Sequence, residues 1–326
     1  MEKIIGIGNA LTDILAVLKD DTLLESMELP KGSTQFIEKE KLSDIHSIFS
    51  SMDTKRVPGG SAANTVRALA NMGSHTGFIG KVGHDETGDF YLNSFHSLGI
   101  ETLFNYSELP SGIASTFISP DGERTFIDYL GAASTLDCKD ISEEILSGYS
   151  YMYVEGYLVQ NHEMITHALQ LAKKNGLTVC LDLSSYNIVA DDQDFFTDLI
   201  KKYVDIVFAN EEEAKAFTDK DGREALDDIA SKCSIAVLKV GAKGSYIKKG
   251  SEVVYVEALA NVKTADTTAA GDYYAAGFLF GLTHGYNLAK CGAIGSLLAG
   301  NVIEVIGSTL SDARWDSIKE QIKELS

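Results

Sequence analysis

Short apolar runs of the kind found in buried strands return along the whole chain, separated by helical patterns. The apolar runs are KIIGIG (3–8), HTGFIGKVG (75–83), YMYVEGYL (151–158), LTVCLDLS (177–184), DIVFAN (205–210) and IAVLKVG (235–241). The helical patterns span 62–72, 87–98, 162–174, 193–203 and 211–217, followed by helices around 270–284, 287–305 and 312–325. This alternation predicts βαβ units, and therefore an α/β fold with a parallel sheet covered on both faces.

Two segments interrupt the alternation. TFISPDGERTFIDYL (116–130) carries Asp121-Gly122 between alternating residues, which indicates a β-hairpin. The stretches ILAVL (14–18) and STQFIE (33–38) are also strand-like and lack a crossover helix. We therefore expect a small β lid outside the main sheet. The expected lid segments are 14–40 and 101–130, and the expected core segments are 1–13, 41–100 and 131–326.

Composition and charge exclude several classes of function. Hydrophobic residues make up 44% and charged residues 23% of the 326 positions, as in a globular protein. The formal net charge of -19 repels phosphate backbones and argues against a nucleic-acid partner. A small anionic ligand can still bind where donors cluster. Asp13 interrupts the first apolar run too early for a signal peptide, and no run reaches the roughly 18 apolar residues of a membrane span. We expect a cytoplasmic protein without a membrane partner.

The stretch DTTAAGD (266–272) precedes an apolar helix and has two interpretations. It is either an ordinary helix cap or an anion site, in which backbone N–H groups from Ala269 to Asp272 point at one phosphoryl group. In the second interpretation Asp272 holds the attacking hydroxyl and accepts its proton. We expect the positive end of the helix dipole to lower the pKa of Asp272.

A second stretch, VPGGSAANTVRALANMG (57–73), places Gly59 and Gly60 directly before a helix that carries Asn64. The pattern is compatible with a simple glycine turn and a helix closed by Gly73. However, paired glycines let a ligand contact the backbone, and Asn64 offers a donor and an acceptor to a hydroxyl, which suits a polyol. No GxxxxGK[ST] phosphate loop occurs, so any nucleotide binds in another way.

The two stretches, with GFIGKVGHDETGDF (77–90) between them, resemble the ribokinase family, also called the PfkB carbohydrate kinase family. The resemblance covers nearly the whole chain. It implies a three-layer α/β/α core, a mostly parallel central sheet and a small β lid over the acceptor. It also implies transfer of the γ-phosphoryl group of ATP, with Mg²⁺, to a primary alcohol of a sugar or nucleoside. Asp272 would be the catalytic base beside the anion site of Ala269, Ala270 and Gly271; many members have Gly in place of Ala269.

The resemblance also assigns residues to the nucleotide side of the site. Asn210 and Glu213 match the family's NxxE motif, which orders magnesium and phosphates, with Glu213 acting through water. The same pair is also the pattern of a helix capping box. Gly241 and Gly244 of VGAKGS (240–245) resemble the loop that approaches ATP.

Two further properties follow less directly. Asp266 and Thr268 resemble positions that hold a monovalent cation in some members, which makes K⁺ a candidate cofactor. The oligomeric state stays open between monomer and homodimer, because the outer face of the lid sheet could be exposed or paired with a second copy.

The acceptor must be argued from local similarity. GNALTDI (8–14) is similar to the start of adenosine kinases, where Asp13 would bind a ribose diol, since a carboxylate accepts two hydrogen bonds from adjacent hydroxyls. EGYLVQN (155–161) resembles the segment that stacks an aromatic ring on the base, although Tyr157 could equally be a core residue. We therefore expect a purine nucleoside acceptor. The alternatives are a free sugar or sugar acid, and a non-catalytic binding regulator.

Overall fold

The computed structural model describes residues 2–121 and 123–325. Gly122, the second residue of the expected hairpin turn, lies outside the described residues. The described strands are β1 Ile4–Ile7, β2 Leu11–Val17, β3 Thr34–Phe36, β4 Thr54–Pro58, β5 Thr76–Gly83, β6 Glu101–Ser107, β7 Gly112–Ile118, β8 Arg124–Tyr129, β9 Tyr151–Glu155, β10 Thr178–Asp182, β11 Ile206–Asn210, β12 Ile235–Lys239, β13 Ser245–Lys249 and β14 Glu252–Val256. The described helices are α1 Thr22–Ser26, α2 Leu42–Ser50, α3 Ser61–Asn71, α4 Glu86–His96, α5 Glu143–Leu146, α6 His162–Lys174, α7 Tyr186–Asp191, α8 Gln193–Tyr203, α9 Glu211–Thr218, α10 Gly222–Ala230, α11 Ala270–Thr283, α12 Leu288–Val302 and α13 Asp312–Glu324.

The large sheet has the order β14-β13-β12-β11-β10-β9-β1-β5-β6 across the described residues. The strands from β12 to β6 pair in parallel, and only β13 and β14 add antiparallel edges. The mostly parallel α/β sheet expected from the sequence is thus confirmed. Because these strands run parallel, their carboxyl ends meet at one edge of the sheet.

Helices cover both faces of this sheet. Successive residues of a strand point to opposite faces, so Ile206 and Phe208 of β11 enter one apolar cluster, while Val207 and Ala209 enter the other. The first cluster includes residues of α3, α11 and α12, and the second includes residues of α6, α8 and α10. The arrangement is a three-layer α/β/α core with the sheet in the middle.

The small sheet has the order β3-β8-β7-β2-β4, and β7 and β8 form the expected antiparallel hairpin. Its composition differs from the expected division in three places. Residues 11–13 were expected in the core, but they form the start of β2. Residues 101–107 were expected in the lid, but β6 pairs in parallel with β5 at the edge of the large sheet. Residues 54–58 were expected in the core, but β4 pairs with β2. Both β4 and β6 lie at sheet edges and are partly exposed, so their residues lack the uniformly apolar pattern of a buried strand.

One face of the small sheet packs against α2. Ala16, Phe117 and Ile127 from this face join Ile45 and Phe49 of α2 in a separate apolar cluster. The rings of Phe49 and Phe117 stack with centroids 4.7 Å apart. The opposite face carries the side chains that turn toward the candidate site. Among the described helices, none is long and apolar enough to cross a membrane.

Candidate active site

Four adjacent strands of the large sheet end in a polar residue at the same edge. These residues are Glu155 of β9, Asp182 of β10, Asn210 of β11 and Lys239 of β12. Only Asn210 was singled out from the sequence. The signal for the others was available, because each closes an apolar strand and the carboxyl ends of parallel strands form the usual ligand edge of such sheets.

The helix α11 begins at this edge without a side-chain cap. Ala269 precedes it in the left-handed conformation, with φ 61°. Among the described residues, the N–H of Ala270 donates to the carbonyl of Thr267 at 3.2 Å, whereas no acceptor is found for the N–H groups of Ala269, Gly271 and Asp272. The anion site expected from the sequence therefore has three free donors rather than four. A helix N-terminus with unpaired donors favours a negatively charged group.

Asp272 and Asn64, predicted from separate stretches, are brought into contact. Asn64 Nδ2 donates to Asp272 Oδ2 at 3.0 Å, and the hydroxyl of Ser61 donates to Oδ1 at 2.6 Å. Ser61 was not predicted, although it is the first residue of the helix that follows Gly60. Asn64 Oδ1 is buried and has no partner among the described residues, so the hydroxyl group of a bound ligand could donate to it.

The pKa of Asp272 differs from the expectation. Burial raises it from 3.8 to about 6, while the hydrogen bonds from Ser61 and Asn64 oppose the shift. The expected lowering by the helix dipole was wrong, because loss of solvent outweighs the favourable field of the helix end. A carboxyl with this pKa is ionised at neutral pH and is a better proton acceptor than an ordinary Asp.

Asp13 lies on β2 against the backbone of the glycine pair. A Cβ on Gly59 would clash with the Asp13 carboxylate, and Gly60 adopts φ 89°, where a side chain is strained. Burial, and then repulsion by Asp128, raises the pKa of Asp13 to about 7. The two aspartates flank Ala114 in the strand register, so both point to the same face of the small sheet. Asp128 was not predicted from the sequence.

A cavity of about 830 Å³ adjoins the start of α11. It is lined by Gly241 and Gly244 of the predicted nucleotide loop and by Ala270 and Gly271 of the anion site. The volume lies within the usual range for small-molecule sites. The structure thus brings together at one cavity two stretches that lie about 30 residues apart in the sequence.

Asn210 and Glu213 form the capping box that was the structural alternative. Glu213 Oε2 accepts from the N–H of Asn210 and Oε1 from its Nδ2, both at 2.8 Å. The carboxylate is buried, which raises the pKa of Glu213 to about 7. Both oxygens are engaged once, so contact with a metal through water is compatible with this geometry, and direct ligation is not required.

The positions compared with a cation site have other partners. Asp266 is buried, and its carboxylate accepts from the N–H groups of Thr268 at 2.9 Å and Gly307 at 2.7 Å. Arg124 of β8 forms an ion pair with the same carboxylate. This pair connects the small sheet to the DTTAAGD stretch, and the sequence did not reveal it. Arg124 supplies a positive charge at Asp266 where a cation was expected.

A second cavity, of about 540 Å³, is lined by Asn9 and Tyr157, with Leu130, Ser134 and His162 among the other residues. Tyr157 is 38% exposed, and its hydroxyl donates to the carbonyl of Ser184 at 3.3 Å. The alternative interpretation of Tyr157 as a core residue is therefore wrong.

The fold and the site together define a phosphotransferase that acts on an alcohol. Residues 36–315 match the pfkB family of carbohydrate kinases, and the chain belongs to that family. The family and the named relatives below make the chain a carbohydrate or nucleoside kinase, and the family uses ATP with a divalent metal.

The named relatives include both a nucleoside kinase and sugar kinases. A probable sugar kinase from Rhizobium etli and an adenosine kinase from Sinorhizobium meliloti are each 32% identical, with a TM-score of 0.89 over 98% of this chain and 98% and 99% of theirs. A 5-dehydro-2-deoxygluconokinase from Clostridium perfringens is 29% identical over 86% of this chain and 88% of its own.

Proposed function

We propose that the chain transfers the γ-phosphoryl group of ATP to the primary hydroxyl of a ribose-containing nucleoside of the adenosine type. One observation carries the choice of acceptor. Asp13 lies beside Gly59 and Asn9 lies beside Gly60, so the cavity lined by Asn9 and Tyr157 adjoins the glycine pair and provides space for a group larger than a sugar ring. A free pentose would leave that cavity unused.

In this proposal Asp272 accepts the proton of the primary hydroxyl, while the oxygen of that hydroxyl bonds to phosphorus and ADP leaves. Ser61 and Asn64 hold the carboxylate in place. The N–H groups of Ala269, Gly271 and Asp272 stabilise the negative charge on the transferred group. Loose phosphoryl transfer depends on positioning and charge stabilisation more than on a strong base.

The residues present fit the two implied cofactors. Gly241 and Gly244 lie beside a cavity of nucleotide size, so they would hold ATP. Asn210 and Glu213 would order a divalent ion such as Mg²⁺ through water, since hard cations prefer oxygen ligands. A bound divalent ion would neutralise phosphate charge. Asp266 and Thr268 remain candidates for K⁺, although the ion pair with Arg124 argues against a need for that cation.

The charges of the site argue for a neutral acceptor. Asp13 and Asp128 share one face of the small sheet, and the pKa of each is raised to about 7, by burial in both cases. The carboxylate of a sugar acid would add negative charge to an environment that already disfavours it. The two nearby arginines already have partners, Arg67 the carbonyl of Pro58 at 3.0 Å and Arg124 the carboxylate of Asp266, and their remaining effect is to lower the pKa of Asp13.

A sugar kinase is the second candidate, and the relative named 5-dehydro-2-deoxygluconokinase supports it. In that case Asp13 and Asn64 would bind hydroxyls of a free sugar, and the small sheet would cover it as a lid. A non-catalytic regulator is disfavoured, because the complete hydrogen-bonded arrangement around Asp272 has no evident use without proton transfer.

The test is turnover of adenosine, its 2′- and 3′-deoxy analogues, ribose, fructose and a sugar acid, each with ATP and magnesium. We expect ADP release with adenosine and product phosphorylated at the 5′ position. The deoxy analogues should be poorer by up to about 10⁴-fold, because a missing hydroxyl leaves Asp13 unpaired. Saturating adenosine without ADP release, beside turnover of a free sugar, would refute the nucleoside proposal.

A variant at the cavity wall separates the two candidates further. Tyr157→Ala should raise KM for adenosine, because base–aromatic stacking contributes about 1–3 kcal/mol. It should leave any turnover of free ribose unchanged. The matched control is Tyr106→Ala, since Tyr106 is 48% exposed and stacks on His84 away from both cavities. Equal losses for adenosine and ribose would count against stacking by Tyr157.

A further inference from the structure

Lys239 occupies the junction of the nucleotide cavity and the anion site. It is the last residue of β12, and its side chain, 15% exposed, lines the cavity of about 830 Å³. A Cβ on Gly271 would lie 2.9 Å from its Nζ. The ammonium group therefore lies next to Gly271, whose N–H is one of the donors without an acceptor at the start of α11 among the described residues.

The ammonium group is oriented by a single carboxylate. Nζ donates to Asp182 Oδ2 at 2.8 Å, and no other acceptor for Nζ is found among the described residues. An ammonium has three donors, so two are available to a ligand. Asp182 sits at the end of β10, which makes the Lys239–Asp182 pair a direct consequence of the strand order.

The charge on Lys239 is secure. Burial opposes it, but the carboxylates of Asp182, Glu213 and Asp272 raise the pKa of Lys239. These three acids are close enough to interact with the charge on Lys239, and they would repel phosphate oxygens there. A fixed cation there would offset their repulsion, as backbone dipoles alone carry only partial charges.

We propose that Lys239 is a catalytic residue of this kinase, whose ammonium contacts the phosphoryl group during its transfer. As the bond from phosphorus to ADP breaks and the bond to the acceptor oxygen forms, the proton passes to Asp272 and Lys239 keeps its own. Its part is to stabilise charge on the phosphoryl oxygens, together with the N–H of Gly271. The inference does not depend on which alcohol is the acceptor.

The test combines nucleotide binding with kinetics on Lys239→Met. Calorimetry with the β,γ-methylene analogue of ATP should show affinity lower by about ten- to a hundredfold, the worth of a charged hydrogen bond. Affinity for AMP, which lacks the outer phosphates, should change less than about twofold. Turnover should fall by about 10²–10³-fold, as for other oxyanion donors.

The matched control is Lys173→Met. Lys173 pairs with Asp205 at 2.7 Å, and Asp205 lies just before β11, at the opposite end of the sheet. Lys173→Met removes a Lys–Asp ion pair away from the site. It should therefore leave the affinities for AMP and for the ATP analogue unchanged.

A purely structural ion pair would behave differently. The double variant Lys239→Gln with Asp182→Asn removes both charges and leaves no buried charge unpaired, so it should fold even where Lys239→Met does not. It should lose affinity for the ATP analogue and keep affinity for AMP. Lys239→Arg should recover part of the analogue affinity. Unchanged analogue affinity and turnover in the folded double variant would overturn the proposal, as would equal losses for AMP and the analogue.

Discussion

Replacing Asp13 by Asn should stabilise the protein above neutral pH. Burial and the neighbouring Asp128 raise the pKa of Asp13 from 3.8 to about 7, so its ionised form is disfavoured in the folded state. The folded chain therefore keeps a proton that the unfolded chain releases as pH rises above 3.8. The destabilisation is absent below that value, grows between about pH 4 and pH 7 and is constant above. Asparagine of the same shape cannot ionise and removes the effect.

The size of the effect follows from the shift. About three pKa units correspond to about 4 kcal/mol at pH 8, as an upper figure. The coupling to Asp128 and the nearby positive charges of Arg124 and Arg67 reduce it, and we expect about 2 kcal/mol. With an unfolding entropy of about 2.1 cal/mol/K per residue, a chain of 326 residues should gain about 3 °C in Tm.

The assay is thermal unfolding of both proteins across pH 4 to 8. The difference in Tm should be near zero at pH 4 and largest at pH 7 and above. The same variant should bind the acceptor more weakly, a trade of function for stability that is common at active sites. A Tm difference that does not depend on pH, or a variant less stable at pH 8, would refute the reasoning about the buried carboxylate.

Three further substitutions test the phosphoryl-transfer end. Asp272→Asn should lower kcat by about 10²–10⁴-fold, and wild-type kcat should rise with pH through about 6, because only the ionised carboxylate accepts a proton; a flat pH profile or near-normal turnover in initial-rate assays would remove Asp272 from the mechanism. Gly271→Leu should block the approach to the N–H groups and cost about 10²–10³-fold in kcat, unless the helix start is only a cap. Ala269→Gly should keep activity and change the free energy of unfolding by less than about 1 kcal/mol, since relief of the left-handed conformation offsets added chain freedom; a large loss on denaturant unfolding would contradict that balance.

The elements defined by local periodicity were predictable from the sequence. The helices at 162–174 and 193–203 begin and end in the structure at the expected residues, and the apolar runs form parallel strands. Side chains repeated every 3.6 or 2 residues reveal one buried face without reference to the rest of the chain. Edge strands such as β4 and β6 carry no such signal, because only part of their surface is buried.

The grouping of candidate site residues was predictable where a single short stretch contains several of them. Asp272, Asn64 and the glycine pair lie in short motifs, and the structure brings them together. Asp128 and Arg124 could not be placed in the same way, because their position depends on the register between β8, β7 and β2. Pairing between distant strands is set by packing of the whole sheet, which a local pattern does not contain.

This geometry suggests how the chain binds phosphate without a Walker-type loop. The chain carries a net charge of -19, and two acids, Glu155 and Asp182, close strands at the ligand edge, so phosphate binding must come from a few well-placed donors. At the start of α11, three N–H groups without acceptors among the described residues provide directed hydrogen-bond donors. The ammonium group of Lys239, next to Gly271, provides a full positive charge. Asp182, together with Glu213 and Asp272, raises the pKa of Lys239 and keeps it charged although burial opposes the charge. The acids and Lys239 therefore belong to one arrangement. Neutralising Asp182 alone should leave Lys239 charged, because Glu213 and Asp272 still raise its pKa. It should also free the ammonium donor that Asp182 now accepts, so that this donor can bind phosphate.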